Sequence, residues 1–149
     1  KFKAYEMASF AEKKAFKYAK VDHFHFIRHT SECLARAYPD GLRFDSSNYD
    51  PQTLWNIGMQ MCALNYQTPD RSMQLNMARF SENGRAGYVL KPQCLRTPRD
   101  MTGVPMRTMR LEIELMGGFQ MPRAKSVKKR RMQTYVEVEV VGAKTLMAS

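Results

Sequence analysis

Residues 5–90 change hydrophobic period again and again, and that alternation limits the fold more than any other feature. Short apolar runs with strand character occur at Tyr5–Phe10, Leu34–Tyr38, Met59–Tyr66 and Gly87–Leu90. Between them lie segments with helical spacing. Ser9 followed by Glu12 has the form of a capping box, which predicts a helix beginning near Phe10 with Phe16 and Ala19 on its apolar face. His23–Cys33, with Phe26, Ile27 and His29, predicts a second helix. Residues 71–82 read as helical or irregular, and Asn83-Gly84 as a turn. Strands that alternate with helices imply parallel pairing through crossover helices. Four such units are half of a closed eight-stranded barrel, or else a small open sheet. Periodicity leaves both open.

One connection stands out. Arg43–Asn56 begins with the turn formers Asp45, Ser46, Ser47 and Asn48, whose side chains compete for nearby backbone groups. Asp50-Pro51 then predicts a helix start: Asp50 can accept from the first helical amides, and Pro51 suits the first helical position. A polar loop between a strand and a helix is where α/β proteins place function.

The pattern changes after Pro92. Pro98, Gly103 and Pro105 mark residues 97–106 as a linker. Arg107–Leu115 alternates Met109, Leu111, Ile113 and Leu115 against Arg110, Glu112 and Glu114, as a half-buried strand would. Thr134–Val141 alternates again. Two strands cannot stand alone, so they read as the opening of a β-sandwich. The predicted organisation is therefore 1–96, an α/β unit; 97–106, a linker; and 107–149, an incomplete all-β unit. The chain begins at Lys1 just before one strand and ends at Ser149 just after another, which predicts a piece of a longer polypeptide.

Charge narrows the partner. The 149 residues carry a formal net charge of +10, and six basic residues fall in Arg123–Arg131. That balance favours an anionic partner: nucleic acid, an anionic membrane or a phosphorylated ligand. Basic residues beside an anionic membrane contribute about 1 kcal/mol each; a solvated loop is the plainer reading of the same run. Cys33, Cys62 and Cys94 are far apart, lack zinc spacing and fit inert, reduced thiols. The sequence has no apolar run of about 18 residues that would span a membrane.

Several segments together resemble the eukaryotic phosphoinositide-specific phospholipases C. They are YEMASF (Tyr5–Phe10), RAYP (Arg36–Pro39), DSSNYDP (Asp45–Pro51), LWN (Leu54–Asn56), ALNYQTPD (Ala63–Asp70), MQLN (Met73–Asn76) and NGRAGYVLKP (Asn83–Pro92). Their order is that of the second half of the family's catalytic region, the Y region, and they cover nearly all of residues 4–96. TYVEVEVVG (Thr134–Gly142) is similar to an opening strand of the C-two domain that follows it in the family.

The resemblance implies a fold: the second half of a distorted TIM-type (β/α)8 barrel, followed by the first strands of an all-β C-two sandwich. It implies a reaction, calcium-dependent hydrolysis of phosphatidylinositol 4,5-bisphosphate to diacylglycerol and inositol 1,4,5-trisphosphate. It implies a location at the cytoplasmic face of the plasma membrane. G-protein or other signalling regulators would act through regions outside this chain. The family's catalytic histidines and calcium ligands belong to the first half of the barrel, so no catalytic residue and no calcium ligand is expected here. His23, His25 and His29 match no catalytic position. A phospholipase-like scaffold that binds inositol phosphates without catalysis fits the same residues, because the deciding histidines lie elsewhere. A nucleic-acid-binding domain rests on charge alone and lacks aromatic residues interleaved with the basic run; no nucleic-acid partner is expected.

What this half should supply is headgroup recognition. Arg36 matches the family arginine that binds a ring phosphate, a task suited to a planar, permanently charged guanidinium that donates two parallel hydrogen bonds. Tyr38 matches the tyrosine packed on the inositol ring; two residues on along a strand, it faces the same way as Arg36. Ser9 matches a serine that contacts a ring phosphate, alongside its capping-box reading. Asp45, Asp50 and Asp70 are expected at turns and caps, Trp55 in the core, and Leu42 on an apolar rim at the membrane; Lys91 could sit near a strand end at the barrel mouth but is not counted among the site residues.

Overall fold

Three short strands pair in parallel, in chain order, in a computed structural model that describes residues 5–98, 110–121 and 134–141. Contacts divide the described residues into two units, 5–98 with Val141, and 110–121 with 134–140. In the first unit β1 spans Met7–Ala11, β2 Leu34–Tyr38 and β3 Met61–Cys62. Met7 pairs with Leu34 and the register runs through to Ala11 with Tyr38; Arg36 pairs with Met61 and Ala37 with Cys62. Helices α1 (Glu12–Val21) and α2 (His23–Glu32) form the crossover from β1 to β2. Helix α3 (Pro51–Asn56) connects β2 to β3, and α4 (Arg71–Arg79) and α5 (Gln93–Arg96) follow.

The two faces of β2 explain why helices cover one side. Ala35 and Ala37 are fully buried, and Leu34, Arg36 and Tyr38 on the alternate positions are exposed. The small alanines let helices approach the sheet closely. Against them pack Ala15 of α1, Phe26 and Ile27 of α2, Leu54 of α3 and Leu95 of α5. Phe10, on β1, stands edge-on to Tyr18 and Phe26, with ring centroids 5.7 and 5.5 Å away.

Helix starts follow local chemistry. Asp50 accepts from the Gln52 amide at 2.9 Å, with Pro51 at the first helical position, as the sequence predicts. Asp70 accepts from the Met73 amide at 2.9 Å and starts α4. The capping box at Ser9 does not form. The residue at the start of α1 is Ala11, without a side-chain cap, and Ser9 lies inside β1. The strand runs one residue further than expected, so Glu12 becomes the first residue of the helix and turns to a different partner.

Three further expectations change. Only Met61–Cys62 of the run Met59–Tyr66 pairs as a strand, opposite Arg36 and Ala37, and the Ala63 amide makes the last bond to β2, to Ala37 O at 2.9 Å. Gly87–Leu90 forms no strand: no described segment offers it a ladder, and Tyr88 and Leu90 are exposed. The described residues thus build three of the four anticipated strands. In the second unit, 110–121 and 134–140 form no strand, and their apolar side chains, Leu111, Ile113, Val136 and Val138 among them, are exposed. Alternation predicts a strand only where a second sheet exists to cover its apolar face. Most of the linker, residues 107–109 and the basic run 123–131 lie outside the described residues. Among the described residues no helix is long and apolar enough to cross a membrane.

Candidate functional site

Ser9, Arg36 and Tyr38 come together at one edge-to-edge junction of β1 and β2. Ser9 is the register partner of Arg36, and Tyr38 lies two residues further along β2. Parallel neighbours in register share a face, so all three side chains stand on the face opposite the helices. The Arg36 guanidinium carbon lies 6.0 Å from the centre of the Tyr38 ring, within the range of a cation–π contact. Among the described residues Arg36 makes no salt bridge. The group is a planar cation within cation–π range of an aromatic ring, with a hydroxyl on the neighbouring strand. Such a set can hold a ring that carries phosphate: charge-assisted hydrogen bonds from the guanidinium, one from the hydroxyl, and an apolar wall from the tyrosine.

The loops that leave the C-terminal ends of the strands are tied to one another. After β1, the Glu12 carboxylate accepts Arg43 Nε at 2.7 Å, Arg43 Nη2 at 3.0 Å and the Asp40 amide at 3.1 Å. Its hydrogen bond holds the guanidinium above the ordinary arginine value. Arg43 Nη1 donates onward to Ser47 Oγ at 2.8 Å. Asp45 closes a turn on the Ser47 amide at 3.1 Å, and that bond holds its carboxyl below the usual range.

Asn48 is the hub of the polar loop. Its Nδ2 donates to Asn65 O, Thr68 O and Asp70 Oδ1, and its Oδ1 accepts the Asn65 amide at 2.6 Å. Asn65 Nδ2 and Thr68 Oγ1 donate back to the carbonyls of Ser47 and Ser46. Ser46 is left-handed at φ 56°, a conformation the surrounding bonds enforce. Tyr49 is buried, and its hydroxyl donates to Ala37 O at 3.4 Å. The DSSNY motif is thus a structural joint between the loops after β2 and β3, as the sequence anticipates for Asp45, Asp50 and Asp70.

Other candidates fall elsewhere. His23, His25 and His29 lie on α2; His25 pairs with Asp22 at 2.5 Å, and His29 packs 6.0 Å from the Phe26 ring. Trp55 is buried beside Phe80, as expected of core. Burial pushes the Cys62 thiol up to about 12, so it stays protonated near neutral pH. Lys91 is not at the mouth. Its Nζ donates to Thr30 O at 2.7 Å and Gly58 O at 3.2 Å, at the end where the strands begin, and burial lowers its pKa. A cavity of about 870 Å³ includes Leu34, Arg36, Met61 and Lys91 in its wall; Ser9 and Tyr38 are not part of it.

Leu42 is exposed at the tip of the loop after β2, as expected, and Phe44 beside it is more so. Sequence reasoning missed Glu12 and Arg43 as partners. No local spacing links residues 31 positions apart, and the Ser-x-x-Glu pattern offers Glu12 a local partner in Ser9.

The pattern describing the phosphatidylinositol-specific phospholipase C Y domain matches residues 1–94. The chain is 42% identical over 145 residues to rat 1-phosphatidylinositol 4,5-bisphosphate phosphodiesterase delta-1, covering 93% of this chain and 19% of that one. It is 41% identical over 143 residues to the human beta-4 enzyme of the same name, covering 95% of this chain and 12% of the relative. The crystal structure of PLC21 from L. pealei superposes with a TM-score of 0.61 at 44% identity, over 63% of this chain and 12% of that one. This chain therefore spans a small part of the length of the proteins it matches.

Proposed function

Because this chain belongs to the phosphatidylinositol-specific phospholipase C family, matching its Y domain, we propose that it is the headgroup-recognising half of a phosphodiesterase barrel. The whole enzyme would hydrolyse phosphatidylinositol 4,5-bisphosphate to diacylglycerol and inositol 1,4,5-trisphosphate, working peripherally at the cytoplasmic face of a membrane. Residues 107–149 would open its C-two domain, and signalling regulators would act through regions outside this chain. The relatives are named for cleavage of that lipid. The observation that carries the reading is the shared face of Ser9, Arg36 and Tyr38 at the junction of β1 and β2.

Each residue has a distinct task. Arg36 would donate two parallel hydrogen bonds to one ring phosphate, and its fixed charge would complement the bisphosphate. Ser9 would donate a further bond from the neighbouring strand. Tyr38 would lie against the inositol ring and keep the Arg36 guanidinium in place by stacking. The base, the leaving-group acid and the calcium ligands would come from the first half of the barrel. Calcium there would offset negative charge on the phosphoryl group. Among the described residues no group of three or more histidine, cysteine or acidic side chains could hold a metal ion. The carboxylates near the site are engaged instead: Glu12 with Arg43, Asp50 and Asp70 as helix caps. No step through calcium is assigned to this chain.

The test uses the complete enzyme. Arg36→Ala should lower kcat/KM for the bisphosphate by roughly 10- to 100-fold, the worth of a charge-assisted pair. Use of unphosphorylated phosphatidylinositol should change little. An equal loss on both lipids removes Arg36 from the phosphate-binding role.

A further inference from the structure

The β1–β2 ladder ends at the pair Ala11 and Tyr38. Beyond it the two chains part, one into α1 and the other into the loop that starts at Pro39. At that fork stands the Glu12 carboxylate, with the residue only 8% exposed. Oε2 accepts the Asp40 amide at 3.1 Å and Arg43 Nε at 2.7 Å, and Oε1 accepts Arg43 Nη2 at 3.0 Å. The carboxylate does what one more ladder bond would do: it joins the residue after β1 to the second residue after β2. The paired side chains are 26% and 10% exposed, so water does not compete freely for them. Lys13 adds an outer contact to Asp40 at 2.7 Å.

We propose that Glu12, through Arg43 and the Asp40 amide, is the positioning residue that sets the Tyr38 ring and hence the Arg36 guanidinium in cation–π contact with it, tuning discrimination between phosphorylated and unphosphorylated inositol headgroups. Tyr38 lies two residues before the amide Glu12 holds. Arg36 lies two residues before Tyr38, with its guanidinium carbon 6.0 Å from that ring. Arg43 carries the same restraint onward to Ser47 and the polar loop. Ser9 sits three residues before Glu12 on the neighbouring strand, so a single carboxylate fixes both strands that carry the candidate ligands. This role rests on the headgroup reading above.

The readout is the ratio of kcat/KM for the bisphosphate to kcat/KM for phosphatidylinositol, in the complete enzyme, with the melting temperature of every variant measured beside it. Glu12→Gln keeps an acceptor for the Asp40 amide and removes the charge that holds Arg43. It should lower the ratio roughly tenfold, mainly through KM for the bisphosphate. Glu12→Gln placed on Arg36→Ala should lower the ratio no further, since the effect passes through Arg36. Arg43→Lys keeps the charge, loses the two-point contact and should reduce the ratio in the same direction; it serves where Glu12→Gln gives no folded enzyme. A lower melting temperature with an unchanged ratio would make Glu12 a stability residue only and overturn the proposal. Additive losses in the double variant would overturn it as well. If Arg36→Ala itself leaves the ratio intact, the headgroup reading falls and the positioning role falls with it. If Arg36→Ala collapses the ratio and Glu12→Gln does not, the positioning role alone falls.

Discussion

Gly58 shows how much one residue can decide at the base of the sheet. It sits at φ +79°, and a Cβ there would meet Thr30 Oγ1 at 2.5 Å. That hydroxyl is buried and is shared between Ile57 O and Ile27 O, each at 3.0 Å. Lys91 Nζ joins the same knot through Thr30 O and Gly58 O. Gly58→Ala therefore carries two costs: a left-handed backbone that an L side chain resists, and the displacement of a buried hydrogen-bonding group. Together they should remove roughly 2–4 kcal/mol. Chemical denaturation of the complete enzyme should show the midpoint falling with the slope unchanged. Lys91→Met keeps most of the side chain's length and deletes its donor, leaving two carbonyls with one partner fewer. It should cost roughly 1–3 kcal/mol and leave discrimination between lipids untouched, because the knot lies at the far end of β2 from Tyr38. A change in lipid preference in Lys91→Met would return that residue to the mouth.

The elements near the mouth depend on carboxylates, and that gives the fold an acid limit. At Asp70 burial pushes the carboxyl up, but the bonds from the Met73 amide, the Asn48 side chain and the Asn48 and Ser72 amides outweigh it and hold it below its ordinary 3.8. The folded value is thus lower than the unfolded one. Stability from this group is fully present above the ordinary carboxylate range and is lost as pH falls through the depressed value. Melting temperature should be flat near neutrality and fall in the acid range below about pH 4. Asp70→Asn should melt lower at pH 7 and show a shallower acid limb; an identical acid limb would remove Asp70 from the control of α4. These elements also mark what could be read from the sequence. Leu34–Tyr38 and the start of α3 were legible because period and capping chemistry are local. The cap at Asp70 was anticipated on the same grounds. The shortening of Met59–Tyr66 is not legible, since the Ala35 amide of β2 goes to the Gln60 side chain instead of a backbone partner, a contact that no local pattern reveals. Ser9, Arg36 and Tyr38 stand out as candidates only through the family motif; Arg36 and Tyr38 alone would read as a surface arginine and a half-buried tyrosine. The Glu12–Arg43 contact was hidden because a helix N-terminus offers a carboxylate a local partner, and only the fold supplies the distant one.

At the scale of the whole molecule, a sheet with one covered face sets what the chain can do alone. The helices cover Ala35 and Ala37, while Met7, Leu34 and Tyr38 on the other side are exposed. Among the described residues β1 pairs only with β2, and β3 pairs through two residues. An α/β barrel buries that inner face and removes such edges by closing on itself. The polar joint around Asn48 ties the loops after β2 and β3, and Glu12 with Arg43 adds the end of β1, but these bonds do not cover the inner face. Purified residues 1–149 should therefore release no inositol trisphosphate from bisphosphate vesicles in the presence of calcium. Hydrogen exchange should find the Ala35 and Ala37 amides more protected than those of Met7 and Met61. The two measurements separate two causes of inactivity. Weak protection throughout would mean that this half needs the rest of the barrel even to fold. Protection confined to β2 and the helices packed on it would mean a formed platform that lacks only its chemistry. Turnover by 1–149 alone would overturn the assignment of the catalytic groups to the other half of the barrel.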